Sequence, residues 1–226
     1  MRIAVTILFI VLLIGKNSAQ DTYLLGTLPS LNLNKGISSD WSLNFKSEIR
    51  LHFLQDEFGG NPSADLHFQL ADFAITASRK TGLNNSMGGG YLVRLRGEQI
   101  YHRLIQQFTL VKQYETFRLA HRFSADQTFT GDEPWELRFR YRIAAEIPLN
   151  GQSVDAGEFY LKLNNEYLNS WQSGDPDLEI RMVPLAGFVF KDNNKLEFGL
   201  DYRLSSFING GSRNSFWLNI GWFLKV

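Results

Sequence analysis

The chain contains no cysteine, which removes disulfide scaffolds and thiolate metal centres. That absence assigns no compartment, because oxidising environments permit disulfides without requiring them. Net charge is also lacking, since 23 basic side chains are matched by 23 acidic ones. No global field favours nucleic acid or a polybasic membrane surface. Prolines number six, and after residue 15 no apolar run approaches the ~20 residues of a spanning helix. Glycines cluster at Gly88, Gly89 and Gly90, but no Lys-Ser/Thr pair or helix start follows, so they mark a bend or a close backbone approach in a strand.

What is present begins with a short export pattern. Arg2, an apolar run over 3–15 and then Lys16, Asn17, Ser18 and Ala19 read as a cleaved secretory signal. The expected organisation is a signal over 1–19 and a single domain over 20–226, with no composition shift to mark a second.

The rest of the chain alternates. From Trp135 to Ile147 one face reads Trp135, Leu137, Phe139, Tyr141, Ile143, Ala145, Ile147, and the other Glu136, Arg138, Arg140, Arg142, Glu146. Period two means a strand with one apolar and one charged side. The same script runs from Trp41 to Leu54, and alternating segments cover 23–33, 41–54, 66–78, 87–96, 101–111, 117–129, 135–147, 158–168, 179–190, 196–204 and 216–226. The expected fold is all-β: an antiparallel up-and-down transmembrane β-barrel in the outer membrane of a Gram-negative bacterium. Bacterial barrels have even strand numbers, which favours twelve strands with ten as the alternative. A phase slip is expected near Ala71 and Asp72, where Leu66, Phe68 and Leu70 cannot share a face with Phe73 and Ile75 without a bulge.

Connections fall into two alternating sets. One is short and rich in Lys, Asn and Gly (35–39, 80–84, 112–115, 150–155, 191–194). The other is longer and more acidic (55–65, 130–134, 172–177, 207–213). Short turns belong on the periplasmic side and longer loops outside. Lysines sit in the turns (Lys35, Lys80, Lys112, Lys191, Lys195), whereas arginines occupy strands, as expected where a cation must be paired bidentately away from bulk water. The predicted lumen ladder comprises Glu48, Arg50, Arg94, Arg96, Arg118, Arg122, Glu136, Arg138, Arg140, Arg142, Glu146, Glu158, Lys162, Glu166, Asp201 and Arg203, with Lys46, Asp126 and Glu197 beside them. Trp41, Trp135, Trp171 and Trp222 fall near strand ends, where an interfacial belt needs amphipathic rings.

A water-soluble sandwich or barrel has the same alternation with its apolar side packed inside. Arginine-rich polar faces, two classes of connection and segments longer than the ~5 to 6 residues of a soluble strand favour the membrane form.

No catalytic, cofactor or metal site is expected. The histidines His52, His67, His102 and His121 have no paired spacing for metal ligation. A Ser-His pair for acyl hydrolysis could draw on His121 with Ser124 or His67 with Ser78, but an amphipathic ring beside the apolar face is the simpler reading of His121. Acidic loop residues Asp56, Glu57, Asp132, Glu133, Asp175 and Asp177 read as solvated, with Ca²⁺ binding as the alternative.

Trp41-Ser42-Leu43 followed by Glu48 and Arg50, the Leu137-Arg138-Phe139-Arg140-Tyr141-Arg142 strand, Leu163-Asn164-Asn165-Glu166-Tyr167 and Leu200-Asp201-Tyr202-Arg203 resemble the outer-membrane β-barrel proteins of Bacteroidota gathered as domain of unknown function 2490. The resemblance implies an outer-membrane location and no established chemistry. The functional expectation is a non-enzymatic structural or interaction component of the envelope with a charge-filled lumen. A narrow channel for ions or small solutes is the second reading, and an outer-rim lipid or peptide hydrolase the third. Expected partners are outer-membrane lipid and, during biogenesis, the barrel-assembly machinery; nucleic acid is not among them.

Overall fold

The computed structural model describes residues 21–60, 64–131, 133–191 and 194–226. The predicted signal over 1–19, Gln20 and Asp132 lie outside the described residues. The elements are strands: β1 (Thr22–Gly36), β2 (Trp41–Glu57), β3 (His67–Lys80), β4 (Asn85–Arg96), β5 (Gln99–Gln113), β6 (Arg118–Phe129), β7 (Glu136–Pro148), β8 (Phe159–Gln172), β9 (Asp175–Val189), β10 (Lys195–Ser205) and β11 (Arg213–Lys225). Chain neighbours pair antiparallel, and the sheet closes on itself as a barrel.

The expected count of about twelve is realised as eleven among the described residues, one strand for each alternating segment. An odd number of reversing strands leaves the first and last running the same way. Closure is therefore parallel, with β1 and β11 in register from Thr22 opposite Arg213 to Asn34 opposite Lys225. Full closure removes both sheet edges.

One end of the barrel carries the connections 37–40, 81–84, 114–117 and 149–158 together with the C-terminus. The other carries 58–60, 64–66, 97–98, 130–131, 133–135, 173–174 and 206–212 together with Asp21. These are called the turn end and the loop end. Their lengths are less cleanly divided than the sequence suggests. The expected loop at 172–177 is a tight hairpin, because Ser173 and Gly174 take φ values of 56° and 92°, the mirror-image turn that matches strand twist. Its flanking residues join β8 and β9. Conversely, the connection after β7 is the wide one at the turn end.

The phase slip lies slightly earlier than expected. Arg50 pairs with Leu70 and Leu51 with Phe68, so Gln69 is the extra residue of a bulge. It turns Leu70 inward, where it is buried, and leaves Phe68 exposed outside. This lets Asp72 face inward beside Leu70 while Phe73 and Ile75 face outward.

Side-chain placement inverts that of a water-soluble barrel. Phe139 is 48% exposed on the outside while its neighbour Arg138 is buried within. Phe45, Ile49, Ile75, Leu163, Phe198, Leu218 and Ile220 are likewise exposed, whereas Glu48, Asp72, Asp126, Glu166, Glu197, Asp201 and Arg203 are buried. Exposed tryptophans stand at both ends of the wall: Trp41 and Trp222 near the turn end, Trp135 and Trp171 near the loop end.

The wall tolerates little at Gly199, which faces Leu185 across the β9–β10 pair. A Cβ there would lie 2.1 Å from the Pro184 carbonyl oxygen and 2.9 Å from the Leu185 Cα. Both are backbone atoms and cannot swing away. Gly199→Ala is expected to lower stability by about 1–3 kcal/mol, as overpacking does; an unchanged urea midpoint would contradict this local geometry.

Candidate functional site: the charged lumen

The inward faces of the strands build a lumen of ion pairs. Near the loop end a cavity of ≈ 540 Å³ is lined by Glu133, Glu136, Asp175 and Asp177 with Ser170, Gln172 and Asn209. At the turn end a second cavity of ≈ 260 Å³ is lined by Asn34, Glu146, Lys162, Lys195, Glu197, Phe223 and Lys225. Between them lies a belt dominated by arginine.

Asp126 on β6 is the best-buried member of the belt, with 0% exposure. It accepts hydrogen bonds at 3.0 Å from Arg138 and at 3.0 Å from Arg140, both on β7. Arg138 also lies 3.7 Å from Glu136. Asp72 receives Arg94 bidentately, with both contacts at 2.7 Å. Glu48 is shared by Lys46 at 2.6 Å and Arg50 at 2.7 Å. Glu166 is shared by Arg142 at 2.7 Å and Arg181 at 3.0 Å, and Arg181 also donates to Glu179. Asp201 holds Arg203 through bonds of 2.9 Å and 2.7 Å. Toward the turn end Glu197 accepts from Lys162 at 2.8 Å and from the Tyr160 hydroxyl at 2.7 Å.

Period two explains how such a belt arises. Alternate residues of every strand point to the axis, and adjacent strands in register set their charges side by side. Asp72 faces Arg94, Asp126 faces Arg138 and Arg142 faces Glu166 as direct register partners. An ion taken from bulk water costs several kcal/mol unless it is paired and hydrogen-bonded, and register supplies the pairing.

Most of the predicted ladder stands in this lumen. Arg50, Arg94, Arg138, Arg140, Arg142, Lys162, Glu166, Asp201 and Arg203 join Glu48 in its pairs. Glu136 lines the loop-end cavity, and Glu146 contacts Arg118 at 3.7 Å and Lys195 at 3.6 Å near the turn end. Arg122 faces inward without an ion pair among the described residues. Two positions fall outside the ladder. Arg96 is exposed at the last residue of β4, and Glu158 precedes β8, where it accepts from the Asp155 backbone N–H at 3.3 Å. Alternation specifies facing only while the backbone remains in the wall, and both residues flank turns.

Sequence reasoning missed Asp72, Arg103, Glu179 and Arg181. Asp72 was hidden by the bulge. Arg103 is buried on β5 and donates to Thr128 at 2.8 Å; inward Tyr101 and Ile105 mask the polarity of its face. Glu179 and Arg181 share a face with Val183, Leu185 and Val189, so only the charged half of β9 carried a signal. Trp217 is the other unexpected occupant. It is buried inside the seam with Leu24 and Leu28, and Arg50 stacks over its ring at 6.0 Å, a cation–π arrangement.

The histidine pairings do not assemble. His121 points outward and shares a 2.9 Å hydrogen bond with the Tyr141 hydroxyl, whereas Ser124 is buried on the inward face of the same strand. His67 and Ser78 stand at opposite ends of β3. Among the described residues no cluster of three or more histidines or carboxylates is placed to hold a metal ion.

Residues 25–214 match the family described as "Protein of unknown function (DUF2490)". The chain belongs to that family. No curated protein and no solved structure matches it. The DUF2490 match runs from β1 into the start of β11 and takes in the whole arginine belt. The belt is therefore a property of the DUF2490 region of this chain and not of a flanking addition.

Proposed function

We propose that this DUF2490 protein is an outer-membrane β-barrel acting as a non-enzymatic, non-conducting structural or interaction component of the envelope. The observation that carries this reading is the exposed apolar outer wall around a buried ionic interior, the arrangement suited to a hydrocarbon surround. Exposed tryptophans at both ends support it, since indole rings favour the membrane–water boundary. Strands of 11 to 17 residues meet or exceed the ~9–11 tilted residues that crossing needs. Lipid is then the lateral partner. The outward Phe216, Leu218, Ile220, Trp222 and Leu224 of β11 form the apolar face offered to barrel-assembly machinery, with the turn end toward the periplasm.

The closed lumen follows from size and charge. Open aqueous pores take ~16–18 strands, and here paired arginines project into the lumen of a narrower barrel. The expected result is an outer-membrane protein that runs as a compact, heat-modifiable band and gives no discrete conductance in planar bilayers. Conductance steps whose selectivity changes on Arg140→Ala would replace this reading with the channel. Recovery in the soluble fraction, with no shift on boiling, would remove the membrane assignment.

A further inference from the structure

The lumen is filled unevenly. The inward side chains of β8, β9 and β11 are bulky and buried, as at Tyr160, Leu185, Val189 and Trp217. Toward the turn end, β3 to β5 present Thr76, Ser78, Gly88, Gly90, Gln107 and Thr109, none of them fully buried. Glycine is required in this wall because a Cβ at Gly88 would lie 2.7 Å from the Ala77 carbonyl oxygen, and one at Gly90 2.7 Å from that of Ile75. The small side chains leave the wall recessed there, its hydroxyl and amide groups interrupted by inward Ala74, Ile105 and Val111. Toward the loop end the recess is closed by buried Leu70, Asp72, Leu92 and Arg103. At the turn end the inward Arg118 side chain is 48% exposed.

Arg122 borders this recess. It stands level with Thr109 on one side and directly opposite Arg142 on the other, and it is accessible to water. Like charges set opposite each other across paired strands repel. The carboxylates that could neutralise them are already shared, Asp126 between Arg138 and Arg140 and Glu166 between Arg142 and Arg181. Arg122 thus has five N–H donors, a full positive charge and no anionic partner among the described residues.

We propose that Arg122 and Arg142 form a binding site for a small oxyanion of the phosphate class, entering from the turn end, with Thr109 supplying a further donor. The unpaired Arg122 fork matches the oxygens of such an anion bidentately, while Arg142, whose Nε and Nη2 are taken by Glu166, contributes its remaining N–H groups and the positive charge it and Arg181 hold in excess of that one carboxylate. The recess opens to the aqueous end of the lumen, so the phosphate is a free one or belongs to a small soluble molecule. A lipid headgroup is the competing source. The inference deepens the closed-barrel reading by assigning a ligand to its blind interior.

The test uses the full folded chain in detergent, so its outcome is independent of location and conductance. Phenylglyoxal should modify Arg122, and inorganic phosphate at ten times its dissociation constant should slow that modification roughly ten-fold. Arg96, remote from the recess, should react at an unchanged rate. Arg122→Gln should weaken phosphate binding, measured by titration calorimetry, by roughly ten-fold or more, as expected for loss of charge-assisted hydrogen bonds. Labelling of Arg122 that ignores phosphate, or equal phosphate affinity in the variant, overturns the proposal. So does protection by phosphatidylglycerol vesicles without protection by inorganic phosphate. If Arg122→Gln does not fold, the labelling of the unmodified chain decides.

Discussion

Asp126→Ala is expected to destabilise the barrel by about 3–5 kcal/mol, the range for removing one member of a buried, hydrogen-bonded ion pair. Asp126 has no exposure and neutralises Arg138 and Arg140 together. Its loss leaves two guanidinium groups beside each other, with buried Arg103 near, and among the described residues only the more distant Glu136, 3.7 Å from Arg138, to replace it. Asp126→Asn should fall between the alanine variant and the native chain, because the amide keeps one acceptor but not the charge. Arg118→Ala is the comparison at the other extreme. That side chain is 48% exposed and 3.7 Å from Glu146, so its pair should contribute no more than about 1 kcal/mol. Urea unfolding of the vesicle-inserted protein, followed by tryptophan fluorescence, measures all three. An Asp126→Ala cost no larger than that of Arg118→Ala would show that lumen water solvates the freed arginines, and the belt would then be a wet conduit rather than a plug.

Ile75→Arg should cost about 2–4 kcal/mol in a bilayer, as for a cation set on the lipid face near mid-membrane. Ile75 lies near the middle of β3, points outward and is 50% exposed. In water an arginine at so exposed a position would change stability by no more than about 0.5 kcal/mol. The same variant thus separates the two surroundings by magnitude. Refolding into vesicles against a urea series gives the cost directly, and a near-zero value would sink the membrane assignment regardless of where the protein fractionates.

Much of the architecture is legible in the sequence because a strand's side-chain period is a local property. Glu136, Arg138, Arg140 and Arg142 share a face whatever surrounds them, and Trp41, Trp135, Trp171 and Trp222 mark strand ends by position alone. Legibility fails where local period meets a neighbour's demand. The bulge at Gln69 arises from pairing with β2, and it reverses the facing of Leu70 relative to Phe68. The hairpin at Ser173 and Gly174 depends on two left-handed residues in a segment whose composition, Gly174-Asp175-Pro176-Asp177, reads equally as a longer loop. Trp217 carries no facing signal in the sequence, because its inward neighbours on β11 are Ser215, Asn219 and Gly221 rather than a charged series.

The sequence by itself determined that this chain forms long alternating strands, which residues share an apolar side and which a charged one, since those properties need only the two-residue repeat of an extended backbone. Tertiary structure alone decided that the charged side faces the axis, that the eleven strands of the described residues close through a parallel seam, and that among those residues Arg122 is left without a counter-charge while Asp126 serves two arginines. Each depends on which strands become neighbours and in what register, and those relations bring together residues far apart in the chain.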